Sequence, residues 1–273
     1  MLRSMYSGIS GLKNFQTKLD VIGNNIANVN TYGFKKGRTV FKDLYSQTVA
    51  GATGPGDTRG GVNPKQVGLG GQLAAIDTIH SPGSTQFTGN TLDLAIEGDG
   101  FFVVGNQDGS EKLYTRNGTF YMDENGDIVD GDGRYLLGGD DASQVINIPL
   151  TATSLSIGQN GVVNYVDEDG MLEEADAGFV AITKFSNPSG LNKVGGNLYE
   201  PSANSGLADA DGATGAPQGE GRGALKSGSL EMSNVDLSEE FTEMIVAQRG
   251  FQSNTLIITT SDEILQELVN LKR

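Results

Sequence analysis

One histidine, His80, is the sole side chain in this 273-residue sequence that ordinarily titrates near neutral pH. Ser-His-Asp catalysis requires such a base beside a nucleophile. His80 lies in Thr78-Ile79-His80-Ser81-Pro82-Gly83, a strand running into a turn, where a structural histidine, hydrogen-bonded or exposed, is expected. Cysteine is absent, which with a lone histidine excludes thiolate and imidazole metal centres, disulfides and thiol nucleophiles. Asp123-Glu124-Asn125-Gly126-Asp127, Asp130-Gly131-Asp132-Gly133 and Asp167-Glu168-Asp169-Gly170 are dense in carboxylates, yet none has the spacing of a calcium loop. Each reads as a turn in which Asp, Asn and Gly serve the backbone. Gly219 to Ser227 lacks the glycine that precedes the lysine of a phosphate loop. A glycoside hydrolase needs only two carboxylates, about 5–9.5 Å apart. With 34 Asp and Glu the composition permits one, an extracellular carboxylate-pair hydrolase, but no pair is singled out and there is no Trp platform. The expectation is a protein with no catalytic, cofactor-binding or metal site.

The elements that dominate the chain lie at its ends. Leu2, Met5, Ile9, Leu12, Phe15, Leu19, Ile22, Ile26 and Val29 step by three or four, an apolar seam on a helix roughly 40 Å long. The seam is narrow and calls for a partner helix. Gly8, Gly11 and Gly23 interrupt it, each costing about 1 kcal/mol relative to Ala, so the segment is expected to order only when covered. Leu237, Phe241, Met244, Ile245, Phe251, Ile258, Leu265, Leu268 and Val269 trace a second seam at the C-terminus, with Asp236 and Glu239 spaced as an N-cap and its third helical residue. The candidate assembly residues are therefore Leu2, Met5, Ile9, Leu12, Leu19, Ile22, Asn25, Ile26 and Asn28 on one helix and Phe241, Met244, Ile245, Phe251, Ile258 and Leu265 on the other.

Between the helices the period changes to two. Strand-like runs from about Leu73 to Phe185 alternate with Asn-Gly at 117–118, 125–126 and 160–161 and with Asp-Gly at 99–100, 108–109, 132–133 and 169–170, all hairpin signals. Glycine-rich 51–72 and 201–223 read as flexible loops. The predicted fold is mixed: a coiled-coil-like stalk of paired N- and C-terminal helices plus an all-β, hairpin-rich central domain. Its boundaries are 1–34 for the N-terminal helix, 35–72 for a connector and loop, 73–200 for the β-domain, 201–233 for a return connector and 234–273 for the C-terminal helix.

Charge is asymmetric. The net charge is −15, yet residues 1–50 hold seven Lys or Arg against Asp20 and Asp43. That pattern fits self-association better than nucleic-acid binding, which needs a basic face. No apolar run approaches the roughly 18 residues of a membrane span, and the N-terminus lacks the apolar core of a cleavable signal peptide.

Three blocks resemble the bacterial flagellar rod and hook proteins: Ser7 to Lys35 with Asn24-Asn25-Ile26-Ala27-Asn28-Val29-Asn30-Thr31-Tyr32-Gly33-Phe34, Leu92 to Phe102 continuing through Tyr114-Thr115-Arg116-Asn117-Gly118, and Ser227 to Asp262. Within that family Val67-Gly68-Leu69-Gly70, Ile245 to Arg249 and Leu268 to Leu271 favour the hook subunit, although many hook proteins carry an extra outer domain for which this chain has no room. The distal rod subunit is the alternative. The resemblance implies a tubular homopolymer with terminal helices lining a channel and β-domains outside, the hook serving as a flexible universal joint and the rod as a rigid drive shaft. It further implies no cofactor, an extracellular place in the flagellum, and export by the flagellar type III apparatus without a cleavable signal. The distal rod protein, the hook cap and the hook–filament junction proteins are its implied partners, beside the chain itself.

Overall fold

Residues 2–56, 59–206 and 213–271 are described by the computed structural model, in which the chain forms two units. The first comprises Met1–Ala27, Gly37–Thr78 and Asp236–Arg273; the second comprises Asn28–Lys36 and Ile79–Val235.

Two long helices build the first unit, α1 (Leu2–Ala27) and α2 (Leu237–Asn270). Asp236 caps α2 as its spacing predicts: the carboxylate accepts from the backbone N–H groups of Ser238 at 2.8 Å and Glu239 at 3.4 Å. A cap of this kind contributes about 1 kcal/mol by satisfying donors that the first turn leaves open. Segment 35–72 is not the connector expected of it. It supplies β1 (Gly37–Asp43), β2 (Ser46–Ala50) and β3 (Lys65–Gly68), while β4 is Gly71–Thr78. β1 pairs antiparallel with β4, and β2 with β3. β4 falls on the first of the predicted strand-like runs, whereas β1, β2 and β3 escaped the pattern because none of their side chains is buried. A strand whose faces are at most partly covered has little reason to alternate. Most of β1–β4 lies along α1, where a Cβ on Gly37 would sit 3.3 Å from Val21 and one on Gly71 would sit 3.2 Å from Asn14.

In the second unit, β7 (Phe101–Gly105) is the centre of the largest sheet; β5 is Thr85–Phe87, β6 Leu94–Glu97 and β8 Leu113–Thr115. β7 pairs with β8, with Tyr135–Gly138 and with Ile182–Thr183, all antiparallel. Phe102 and Val104 point into one core with Phe120, Ile128, Leu136 and Ile182, whereas Phe101 and Val103 point into another with Tyr114, Phe185 and Tyr199. Four consecutive apolar residues are needed because both faces of the strand are covered.

The Asn-Gly and Asp-Gly turns at 108–109, 125–126, 132–133, 160–161 and 169–170 join paired strands, each glycine at positive φ. Two do not: Asp99-Gly100 passes between β6 and β7, which belong to different sheets, and Asn117-Gly118 is followed by a strand that does not pair with β8. Gly118 is required by a close approach, since a Cβ there would overlap the carbonyl of Leu94. The expected return connector, 201–233, holds three strands of this unit, of which Thr214–Gly215 pairs with Ile182–Thr183 and the other two pair far back along the chain. Ala224–Ser227 pairs with β6 and Ser229–Glu231 with β5. These pairings span more than 100 residues of chain, a distance no local pattern reports.

Candidate assembly interface

α1 and α2 run antiparallel, and their contact is built on small and polar residues. A Cβ on Gly250 would lie 2.5 Å from the Phe15 ring, one on Gly11 would lie 2.6 Å from the Asn254 side chain, and one on Gly8 would lie 3.4 Å from Ile258. Glycines that weaken the isolated helix thus admit the partner side chains. Lys18 Nζ sits 2.6 Å from Glu243, an ion pair open enough to solvent to contribute at most about 1 kcal/mol. Buried Asn25 is fully used: its Nδ2 donates to Glu240 at 3.2 Å and to the Gly37 carbonyl at 2.9 Å, while its Oδ1 accepts from Gly37 N–H at 2.9 Å.

This geometry redraws the C-terminal seam. The α2 residues withdrawn from solvent are Glu240, Met244, Ala247, Gly250, Asn254, Ile258, Ser261 and Leu265. Five of the eight are not the large apolar residues a hydrophobic pattern seeks, namely Glu240, Ala247, Gly250, Asn254 and Ser261, and all of these but Gly250 recur every seven residues. Phe241 and Ile245 lie on other faces, 50% and 60% exposed, and Phe251 stands at the margin of the contact face. On α1, Ile22 and Asn25 are buried, and Met5, Leu12, Leu19 and Ile26 are half-buried. Ile9 shares an exposed face with Tyr6 and Lys13. Leu2 opens α1, and its side chain lies outside the described residues. Asn28 falls beyond the helix, in the second unit. Apolar residues therefore remain uncovered on two further faces of α2, one carrying Phe241, Ile245 and Leu256 and the other Val246, Ile257, Ile264 and Leu268.

Helix α1 ends at Ala27, short of the expected limit at 34, because the following residues are held by the second unit. Gly33 adopts φ +69°, and a Cβ on it would strike the Arg116 backbone at 2.5 Å. Its N–H donates to the Glu231 carbonyl at 2.9 Å. Lys35 is wholly buried, its ammonium 2.6 Å from Glu231 Oε1 and 2.9 Å from the Ser81 carbonyl. Arg116 Nη1 reaches Glu231 Oε2 at 3.3 Å, and Nη2 reaches the Gly98 carbonyl at 2.8 Å. The Gly83 N–H donates to the same carboxylate at 2.9 Å. Burial is the largest influence on Lys35 and lowers its pKa, with Glu231 pulling the other way. Periodicity could not find this cluster. Only Glu231, a single charge between Leu230 and Met232, carries a local signal; Lys35 is followed by Lys36 and Arg116 lies between Thr115 and Asn117.

His80 is partly buried and partly satisfied, with the Pro188 carbonyl as a backbone hydrogen-bond partner. Its ring packs edge-on against Phe101 and Tyr199, 5.6 Å from each centroid, and its Nδ1 is buried without a partner. Burial first, then the charges of Lys35, Arg116 and Lys193, hold its pKa down at about 4. Among the described residues no group of three or more His, Cys, Asp or Glu is placed to hold a metal ion.

Three family models match the chain: "Flagella basal body rod protein" over residues 5–35, "Flagellar hook protein FlgE/F/G D1 domain" over 95–165 and "Flagellar basal body rod FlgEFG protein C-terminal" over 226–271. The flagellar basal-body rod protein FlgG of Bacillus subtilis is 61% identical over 273 residues, covering all of both chains. FlgG of Borreliella burgdorferi is 40% identical over 275 residues, again covering both chains in full. The flagellar hook protein FlgE of the same organism is 30% identical, but over an alignment of 447 positions.

Proposed function

Given that the chain belongs to the bacterial flagellar rod and hook protein family, we propose that it is a subunit of the distal rod, polymerising with copies of itself into a rigid tube. The family is structural rather than enzymatic, and its members are parts of the flagellum. The observation that carries the rod reading is end-to-end identity of 61% with a rod protein, both chains matched in full over 273 residues. The hook protein aligns only across 447 positions, which requires long stretches that this chain lacks. The rod alternative is therefore better supported than the hook subunit favoured by the motifs.

The helical unit supports self-assembly on physical grounds. A helix with apolar residues on every face belongs inside a layered structure, yet α1 covers only one face of α2. The β2–β3 ribbon leaves Tyr45, Val49, Val62 and Val67 exposed on an isolated two-stranded hairpin, an arrangement of marginal stability in water. Neighbouring copies would cover both. By the same reading the subunit reaches the outside through the flagellar export apparatus, and it meets the hook at one end of the tube.

Complementation separates the two readings. Expressed in a Bacillus subtilis strain lacking FlgG, the chain should restore hooks and motility. Expressed in a strain lacking the hook protein, it should not. The opposite outcome would overturn the rod assignment.

A further inference from the structure

The largest sheet of the second unit has Phe120–Met122 at one end and Asn192–Gly195 at the other. A groove of about 430 Å³ is lined from both ends, by Thr119 and Tyr121 on one side and by Gly196 and Asn197 on the other, with Asp130 and Asp132 beside them. The two sides come close, since a Cβ on Gly196 would lie 3.5 Å from the Asp132 carboxylate. The volume falls in the range of small-molecule sites, about 300–1,000 Å³. Tyr121 is 58% exposed, and a Cβ on Gly131 would lie 4.0 Å from its ring, so glycine leaves that part of the ring uncovered.

Every other side chain in the lining is polar. Asn117 Oδ1 accepts from the Thr119 N–H at 3.3 Å and from its hydroxyl at 3.1 Å, and Asn197 Nδ2 donates to the Tyr32 carbonyl at 3.1 Å. These bonds orient the two amides and leave Asn117 Nδ2 as a donor and Asn197 Oδ1 as an acceptor. Neither atom has a protein partner among the described residues, and both reach the surface. The lining carries two carboxylates and no cation; Arg134 stands 2.9 Å from Asp132 and 3.8 Å from Asp130. An anion is repelled by such a wall. A peptide takes its specificity from pockets for its side chains, and an apolar ligand needs more than one ring to cover it. A sugar meets each feature. Its hydroxyls both donate and accept, and its C–H face is apolar enough to lie on an aromatic ring.

We propose that this groove binds a neutral hexopyranose unit, with the C–H face against Tyr121 and the hydroxyls on Asn117, Asn197 and Asp132. Each hydroxyl contact replaces one with water, so a single unit binds weakly, with a Kd on the order of 1 mM. The sugar has two possible sources, a free solute or one unit of a polysaccharide strand.

Dilute full-length protein is titrated with glucose, galactose and N-acetylglucosamine, and separately with cellotetraose and chitotetraose, while the side-chain amide resonances of Asn117 and Asn197 are followed by NMR. Saturable shifts of both amides are expected. Tyr121→Ala, at an exposed position on an edge strand, should weaken binding about fivefold with the rest of the spectrum unchanged. Tyr45→Ala, at a tyrosine 82% exposed in the first unit, should bind like the parent. Tetramers that bind distinctly more tightly than their monomers assign a polysaccharide strand; equal affinities assign a free sugar. No saturable shift with any of the five sugars, or undiminished binding by Tyr121→Ala, overturns the proposal. So does a change of these resonances on assembly alone, which would make the groove a contact between copies.

Discussion

Glu231→Gln should be among the most damaging isosteric substitutions in the second unit. The parent cluster holds two buried cations and one carboxylate, with side-chain exposures of 0% for Lys35, 2% for Arg116 and 1% for Glu231. Removing the carboxylate leaves both cations unpaired at unchanged volume, and breaking a buried pair in this way costs about 3–5 kcal/mol. Lys35→Met removes a cation instead. Glu231 then keeps Arg116 at 3.3 Å and the Gly83 N–H at 2.9 Å, so this variant should lose at most about 1–2 kcal/mol. The double variant should fall between the two singles rather than at their sum. Urea unfolding followed by tyrosine fluorescence measures all three, and at about 2–4 °C per kcal/mol the Glu231→Gln melting temperature should drop by roughly 6–20 °C. A Glu231→Gln variant within 1 kcal/mol of the parent, or a Lys35→Met variant less stable than Glu231→Gln, would refute the assignment of a net positive buried cluster.

Gly250→Leu drives a side chain into the Phe15 ring and should destabilise the helix pair by about 1–3 kcal/mol, seen as lost helical circular dichroism and faster proteolysis of both ends with the β-unit signal intact. Ile22→Asp should do the same from the α1 side, whereas Ile245→Asp, exposed in the monomer, should leave monomer dichroism unchanged and abolish tubes in the electron microscope; normal tubes would show that this face of α2 is not an assembly face. His80 with a folded pKa of about 4 against an unfolded value near 6.5 places its full stabilising contribution above pH 6.5. That contribution is lost as the pH falls towards 4, by about 3 kcal/mol in total. His80→Gln should remove this share of the pH dependence in paired urea titrations at pH 7 and pH 4, and an unchanged slope would show that the ring is not held neutral by its surroundings.

Much of this protein is written locally. The α1 stripe, the Asp236 cap, the Phe101 to Val104 run and the Asp-Gly and Asn-Gly hairpins depend on residues a few positions apart, so periodicity and turn chemistry reveal them without any knowledge of the rest of the chain. Family membership is legible for a related reason, since its motifs are contiguous blocks. What tertiary structure alone decided are features whose residues do not touch until the chain has folded. The α2 contact face runs through Glu240, Ala247, Asn254 and Ser261 because small and polar side chains let α1 approach closely, while the more conspicuous Phe241 and Ile245 are left outward. β1 to β3 exist through backbone pairing that needs no apolar alternation. The seat of residues 32–36 depends on Lys35, Arg116 and Glu231, whose charges lie far apart in sequence and become costly, and therefore mutually dependent, only when folding removes them from water together.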